Sequence, residues 1–280
     1  MPRKLASLLA DGPAVMGIVN VTPDSFSDGG EADSIEKVVS RARAMVADGA
    51  RIIDVGGEST RPGADPVDAD TERARVVPAI RALRAVLPET WLSVDTMKAP
   101  VMRAAAEAGA DIVNDVYGLR GEGSLAAVRD SGLAACLMHM QGEPRTMQAA
   151  PRYDDVVAEV RDWLRERIEV CIAAGIPAES ILVDPGIGFG KSLAHNLALL
   201  AHVSALRGLG AGVLIGASRK SMFGKLLDLP VDQRLAPGLA VAAIAVFQGA
   251  AIIRTHDVRD TAQAVATAAA LRATGAQGET

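Results

Sequence analysis

The chain has 280 residues, 49% of them hydrophobic but only 3% aromatic, so Ala, Val, Leu and Ile must fill a core of α/β size. Its formal net charge is −5 with no basic stripe, which argues against nucleic acid as a partner, and no apolar run reaches the roughly 18 residues of a membrane span. The two cysteines, Cys136 and Cys171, lack metal-ligand spacing and read as reduced core residues of a cytoplasmic protein.

The start of the chain has an apolar part too short for a signal peptide, and a small helix capping one end of the fold is expected there. A first apolar run covers residues 15–20 and ends in Asn20. Asp33 is then the expected N-cap of a helix, with Glu36 completing a capping box. Ile35, Val38, Val39, Ala42, Met45 and Val46 recur at helical spacing until Gly49 stops the pattern. Seven more apolar runs follow, at 52–57, 92–95, 112–115, 134–139, 181–185, 213–218 and 252–256. Between and after them lie helical patterns near 70–86, 98–108, 123–131, 154–174, 192–208, 237–248 and 258–272.

One junction repeats. Asp48-Gly-Ala-Arg-Ile-Ile-Asp-Val matches Ala108-Gly-Ala-Asp-Ile-Val-Asn-Asp and Gln248-Gly-Ala-Ala-Ile-Ile-Arg-Thr: a helix end, a Gly turn, a buried strand. Eight nearly continuous apolar strands alternating with helices imply a parallel sheet covered on both faces. Eight such units close into a (β/α)8 TIM barrel, a single domain over 1–280 with its core at about 13–273 and a short N-terminal capping segment. A doubly wound open sheet is the alternative, but it should begin with a G-x-G-x-x-G turn, and Asn20-Val-Thr-Pro-Asp is not one.

In a barrel the loops leaving the strand C-termini carry the chemistry. Asn20, Asp95, Asn114, Asp184, Lys220, Arg254 and His256 then converge on one face. Loops over 22–30 and 56–68 carry Gly hinges and read as candidate lids, with a third long loop over 140–153. Gly216-Ala-Ser-Arg-Lys-Ser221 and Arg254-Thr-His256 put positive charge beside a helix expected to start at Ser221, an arrangement suited to an anion. A solvated basic turn explains Arg219 alone equally well; it does not explain Lys220 and Arg254 together. Asp95, Asn114 and Asp184 suit a flat heterocycle whose N–H edge donates to carboxylates. Paired acids also serve glycosidases, but only Trp91 and Trp163 are present to support a sugar. Asn20 is either the lone protein ligand of a Mg²⁺ held mainly by water and phosphate, or the cap of its own turn. His139, His195 and His202 lack ligand spacing, and the last two read as helix-surface residues.

The motifs resemble a known family. Gly17-Ile-Val-Asn-Val-Thr-Pro-Asp-Ser-Phe-Ser-Asp-Gly-Gly30 and Gly57-Glu-Ser-Thr-Arg-Pro-Gly63 are similar to the two N-terminal signatures of the dihydropteroate synthase family. Ser93-Val-Asp-Thr96, Val113-Asn-Asp115, Met138-His-Met-Gln-Gly142, Asp184-Pro-Gly-Ile-Gly-Phe-Gly-Lys191, Gly216-Ala-Ser-Arg-Lys220 and Arg254-Thr-His-Asp-Val258 follow in the family's order. The resemblance implies condensation of 6-hydroxymethyl-7,8-dihydropterin diphosphate with 4-aminobenzoate, with Asp95, Lys220, Arg254 and His256 catalytic. It implies that Asp95, Asn114, Asp184 and Lys220 hold the pterin. Thr60, Arg61, Arg254, Thr255 and His256 would contact the pterin diphosphate, and Asn20 would meet Mg²⁺. Phe26, Pro62, Phe189, Ser218 and Ser221 would frame aminobenzoate.

A homodimer through late barrel helices is implied too, and a stripe of Leu239, Ala243 and Val246 would permit it. The Phe-Gly pair that marks sulfonamide-insensitive relatives is missing near the second loop, so sulfonamides are expected to compete with aminobenzoate. The segment Leu229-Pro-Val-Asp-Gln-Arg234 has no assigned role. A corrinoid-dependent methyltransferase barrel and a non-catalytic pterin-binding paralogue are the rival readings. The first has no need of Arg254, His256 or the first loop, and against the second stand Asn20, Lys220, Arg254 and His256.

Overall fold

Eight strands hydrogen-bond in sequence order and the eighth returns to the first, closing a barrel. The computed structural model describes residues 3–21, 31–58, 66–143 and 146–277. The strands are β1 (Ala14–Asn20), β2 (Ile52–Gly56), β3 (Trp91–Asp95), β4 (Ile112–Asp115), β5 (Ala134–Met138), β6 (Ile181–Asp184), β7 (Gly212–Ile215) and β8 (Ile252–Thr255). Every neighbouring pair is parallel. The expected TIM barrel is therefore the fold, and the open sheet is not.

The alternation of strand side chains builds two apolar layers. Outward residues such as Val15, Val19, Ile53, Val55, Leu92, Val94 and Val113 join the helices in the main core. Inward residues Met16, Ile52, Trp91, Ile112, Cys136, Leu182, Leu214 and Ile252 fill the lower barrel. Leu5 and Leu8 of α1 (Leu5–Leu9) close this layer from beneath, so the expected capping helix is a plug. Arg3 locks the plug by lying 4.6 Å above the Trp91 ring.

The remaining helices are α2 (Glu31–Ala47), α3 (Ala69–Val86), α4 (Ala99–Ala108), α5 (Ser124–Ser131), α6 (Val156–Ala173), α7 (Leu193–Ala201), α8 (Met222–Leu227), α9 (Leu235–Gln248) and α10 (Val258–Gln277). The repeated junction has a common cause. Gly49, Gly109 and Gly249 all adopt φ near the same left-handed value, 107°, 106° and 109°, where a side chain would be strained.

Three expectations are corrected. α2 begins at Glu31, so Asp33 lies inside the helix and is not its N-cap. The helix expected over 192–208 stops at Ala201 and is followed by a 3-10 turn, Val203–Leu206. The tighter turn brings Val203 and Leu206, three apart, onto the same buried face. In α9, Val246 is fully buried against the barrel and cannot belong to an exposed stripe. The exposed apolar face is instead Ile244 at 53%, Phe247 at 56% and, from α10, Leu271 at 59%, flanked by Leu239 and Ala243. The two candidate lids fall mainly on 22–30 and 59–65, outside the described residues.

Candidate active site

Strand register assembles a polar collar above the inner apolar layer. Asn20 lies opposite Gly56, Gly56 opposite Asp95, and Asp95 opposite Asn114. Around the barrel, Asp184 is paired with Met138. Arg254 reaches across the lumen. Its Nε donates to Asp54 Oδ2 and its Nη2 to Asp95 Oδ2, each at 2.7 Å. Asn114 Nδ2 donates to the same Asp54 oxygen at 3.2 Å.

Burial sets the electrostatics of this cluster. It lifts the Asp95 carboxyl to about 7; Arg254 opposes the rise and Asp54 adds to it. Asp184 is also raised by burial, against the Gly186 N–H, which donates to it at 2.7 Å, and the charge of Lys220. Burial alone would lower Arg254, but Asp54 and Asp95 outweigh it and hold the guanidinium above its ordinary value. Asp54 Oδ1, Asp95 Oδ1 and Ser93 Oγ are buried without a hydrogen-bond partner among the described residues. Of these, Asp95 Oδ1 lies at a strand end, where an open acceptor is poised for an N–H-bearing ligand.

The loop after β6 forms one wall. A Cβ at Gly186, where φ is +70°, would stand 1.9 Å from the His139 carbonyl oxygen, so only glycine fits. Gly188 N donates to Asn196 Oδ1 at 2.7 Å, and Tyr153 Oη donates to the Gly190 carbonyl at 2.9 Å. Lys191 is only 2% exposed; its Nζ meets His139 Nδ1 at 3.0 Å and the Phe189 carbonyl at 2.9 Å. Burial lowers this lysine to about 7 and pushes His139 well below its usual range, so the imidazole is a neutral acceptor. The braced loop holds Phe189 with Lys220 Nζ 4.2 Å from its ring centre.

A second wall joins the loops after β7 and β8. Ser218 Oγ accepts from the His256 backbone N–H at 3.2 Å and lies 3.0 Å from His256 Nδ1. The direction of the second contact follows the tautomer of the ring, since a hydroxyl can donate or accept there. Burial, Arg254 and Arg219 together lower His256 to about 4, so the ring is neutral. Arg219, at φ +58°, clamps Asp257 with its guanidinium. The segment that had no assigned role has one in structure, since Arg234 donates to the Arg219 carbonyl at 3.2 Å. Ser221 precedes α8, as expected.

Most sequence-expected site residues therefore meet at one rim: Asn20, Asp95, Asn114, Asp184, Phe189, Ser218, Lys220, Ser221, Arg254 and His256. Phe26, Thr60, Arg61 and Pro62 lie outside the described residues. Thr255 differs. Its side chain points outward, where Oγ1 is 3.1 Å from Thr261 Oγ1 and accepts from Asp257 N at 3.1 Å, so its hydroxyl does not reach the mouth.

Sequence reasoning missed Asp54, although an acid in the middle of Ile52-Ile-Asp-Val-Gly56 was its signal. It also missed Lys98, which bridges Glu58 and the fully buried Glu72. Glu58 Oε1 in turn accepts from Val67 N at 3.0 Å and ties the two stems of the second loop.

The collar fits a magnesium ion in one limited sense. Asn20 offers a neutral amide oxygen at the end of β1, beside Gly56 of β2. Among the described residues no three His, Cys, Asp or Glu side chains gather to hold a metal. Such a donor set suits an ion that keeps its waters and binds substrate phosphates, not a protein cage.

Residues 16–256 match the family model described as pterin binding enzyme. The chain is 52% identical to dihydropteroate synthase of Escherichia coli K12 over 92% of both chains. The chain belongs to the dihydropteroate synthase family. Solved relatives superpose closely. A Yersinia pestis dihydropteroate synthase in complex with a sulfonamide drug has TM-score 0.88 and 49% identity, covering 93% of this chain and 94% of that one. A Xanthomonas albilineans enzyme of the family with 4-aminobenzoic acid has TM-score 0.86 and 48% identity, covering 93% of each chain. A Burkholderia cenocepacia enzyme with 7,8-dihydropteroate has TM-score 0.84 and 46% identity, covering 95% of this chain and 93% of that one.

Proposed function

We infer that the chain is a transferase that condenses 6-hydroxymethyl-7,8-dihydropterin diphosphate with 4-aminobenzoate to give 7,8-dihydropteroate and pyrophosphate. The observation that carries this reading is the gathering of Asp95, Asn114, Asp184, Lys220, Arg254 and His256 at one rim. The open acceptor of Asp95 and the carboxylate of Asp184 take the N–H edge of the pterin, with Asn114 and Lys220 completing its outline. Arg254 keeps Nη1 for the diphosphate, and neutral His256 offers a ring N–H. Thr60 and Arg61 of the second loop join them, with Thr255 contributing through its backbone. Phe189, Ser218 and Ser221, with Phe26 and Pro62, receive aminobenzoate and turn its carboxylate toward the start of α8. Asn20 holds Mg²⁺, which when bound offsets the charge of the diphosphate.

An aryl amine is a weak nucleophile because its lone pair is delocalised into the ring, so catalysis acts on the electrophile. The bond between the pterin methylene and the diphosphate oxygen breaks first, and the electron pair leaves with pyrophosphate. Arg254 and His256 are fixed where that negative charge develops. Asp95, ionised, faces the cation left on the methylene. The amine lone pair then forms the C–N bond and the nitrogen releases a proton. Water must be kept from that cation, a task for the loops over 22–30 and 56–68.

Sulfonamides, which share the aryl amine, are expected to raise the apparent KM for aminobenzoate without lowering kcat. Lys220→Ala is expected to lower kcat/KM by about 10- to 100-fold, the loss of one charge-assisted contact to the pterin. Full turnover by that variant would contradict the assignment.

The reading extends to a cytoplasmic homodimer. The exposed Ile244, Phe247 and Leu271 on α9 and α10 form an apolar face of the kind that pairs subunits. No described helix is long and apolar enough to cross a membrane.

A further inference from the structure

Asp54 is fully buried on β2, on the same inward face as Gly56 and one step deeper in the lumen. Its Oδ2 accepts from Arg254 Nε at 2.7 Å and from Asn114 Nδ2 at 3.2 Å. One oxygen therefore fixes two side chains that the proposed function puts on substrate. A carboxylate paired with a guanidinium only accepts hydrogen bonds, so it can take only the NH2 pole of Asn114 and turns the amide oxygen away from itself. The guanidinium is held between two acids, since its Nη2 is bound to Asp95. Without Asp54, Asp95 is the one acid left in ion-pair contact with Arg254 among the described residues. Asp54 Oδ1 has no partner among the described residues, so Oδ2 alone carries both contacts.

We propose that Asp54 is a positioning residue, which holds Arg254 and Asn114 in the orientation that meets pterin diphosphate and does not touch the substrate itself. This rests on the reading of Arg254 and Asn114 as substrate contacts. Preorganisation of this kind changes substrate affinity more than global stability.

Asp54→Asn keeps the volume and removes the obligate acceptor. Calorimetric titration with pterin diphosphate is expected to give about 30-fold weaker binding for Asp54→Asn, and less than about threefold further weakening when it is added to Arg254→Met. At saturating pterin diphosphate, the KM for aminobenzoate is expected to change less than about twofold, because Asp54 lies away from that subsite. Equal losses in both backgrounds, or unaltered affinity, would overturn the proposal.

A measurement on the unsubstituted enzyme covers the case in which Asp54→Asn does not fold. The ¹⁵N-labelled Arg254 Nε–H resonance, assigned by its disappearance in Arg254→Met, is expected to resist exchange with water before substrate is added. Rapid exchange would overturn the proposal. If the unsubstituted enzyme did not bind pterin diphosphate, the functional reading would fall with it; additive losses would sink this inference alone.

Discussion

Asp95 shows how far one residue's surroundings reach. Buried beside Asp54 and Arg254, its carboxyl sits at about 7. Below that pH it carries a proton and loses an acceptor that the pterin edge needs; above it, both oxygens accept. The expected outcome is that kcat/KM for pterin diphosphate rises with pH through the neutral range, because this ratio reports groups of the free enzyme. A profile flat from pH 6 to 8 would remove Asp95 from that role. Residues at strand ends were legible because a charge terminating an apolar run has no packing reason to be there. Asp54 was not, since a mid-strand acid is intelligible only once Arg254, 200 positions away in the chain, is seen to reach it. The Lys191–His139 pair was hidden for the same reason, its partners being 52 positions apart.

Elements were more legible than their ends. Period-two and period-3.6 patterns, with Gly49, Gly109 and Gly249 as punctuation, are local properties, and all eight strands lie where the apolar runs are. Asp33 misled because a capping box is only a preference, and α2 starts at Glu31. The break after Ala201 is set by tertiary burial of Val203 and Leu206, which periodicity alone does not encode. The plug α1 gives this scale its test. Leu8 is 1% exposed beneath the inner layer, at the opposite end of the barrel from the collar. Leu8→Ala is expected to cost about 2–5 kcal/mol in denaturant unfolding while leaving both KM values unchanged. A large KM change with native stability would mean that the plug communicates with the rim.

For the whole molecule, closure of the barrel is what turns scattered positions into one site. The apolar face proposed to pair subunits had only a partial sequence signal, because Val246 shares helical spacing with Leu239 and Ala243 yet turns inward. Phe247→Asp is expected to convert a sedimenting dimer to monomer; an unchanged sedimentation coefficient would assign that face elsewhere. The most direct test of the entire account is a pyrophosphate-release assay with pterin diphosphate and 4-aminobenzoate, each alone and then together, with and without Mg²⁺. Stoichiometric pyrophosphate and 7,8-dihydropteroate only when both substrates and Mg²⁺ are present is the expected result. Binding of pterin diphosphate with no pyrophosphate released under any of these conditions would contradict it, and would leave the collar a pterin-binding site without chemistry.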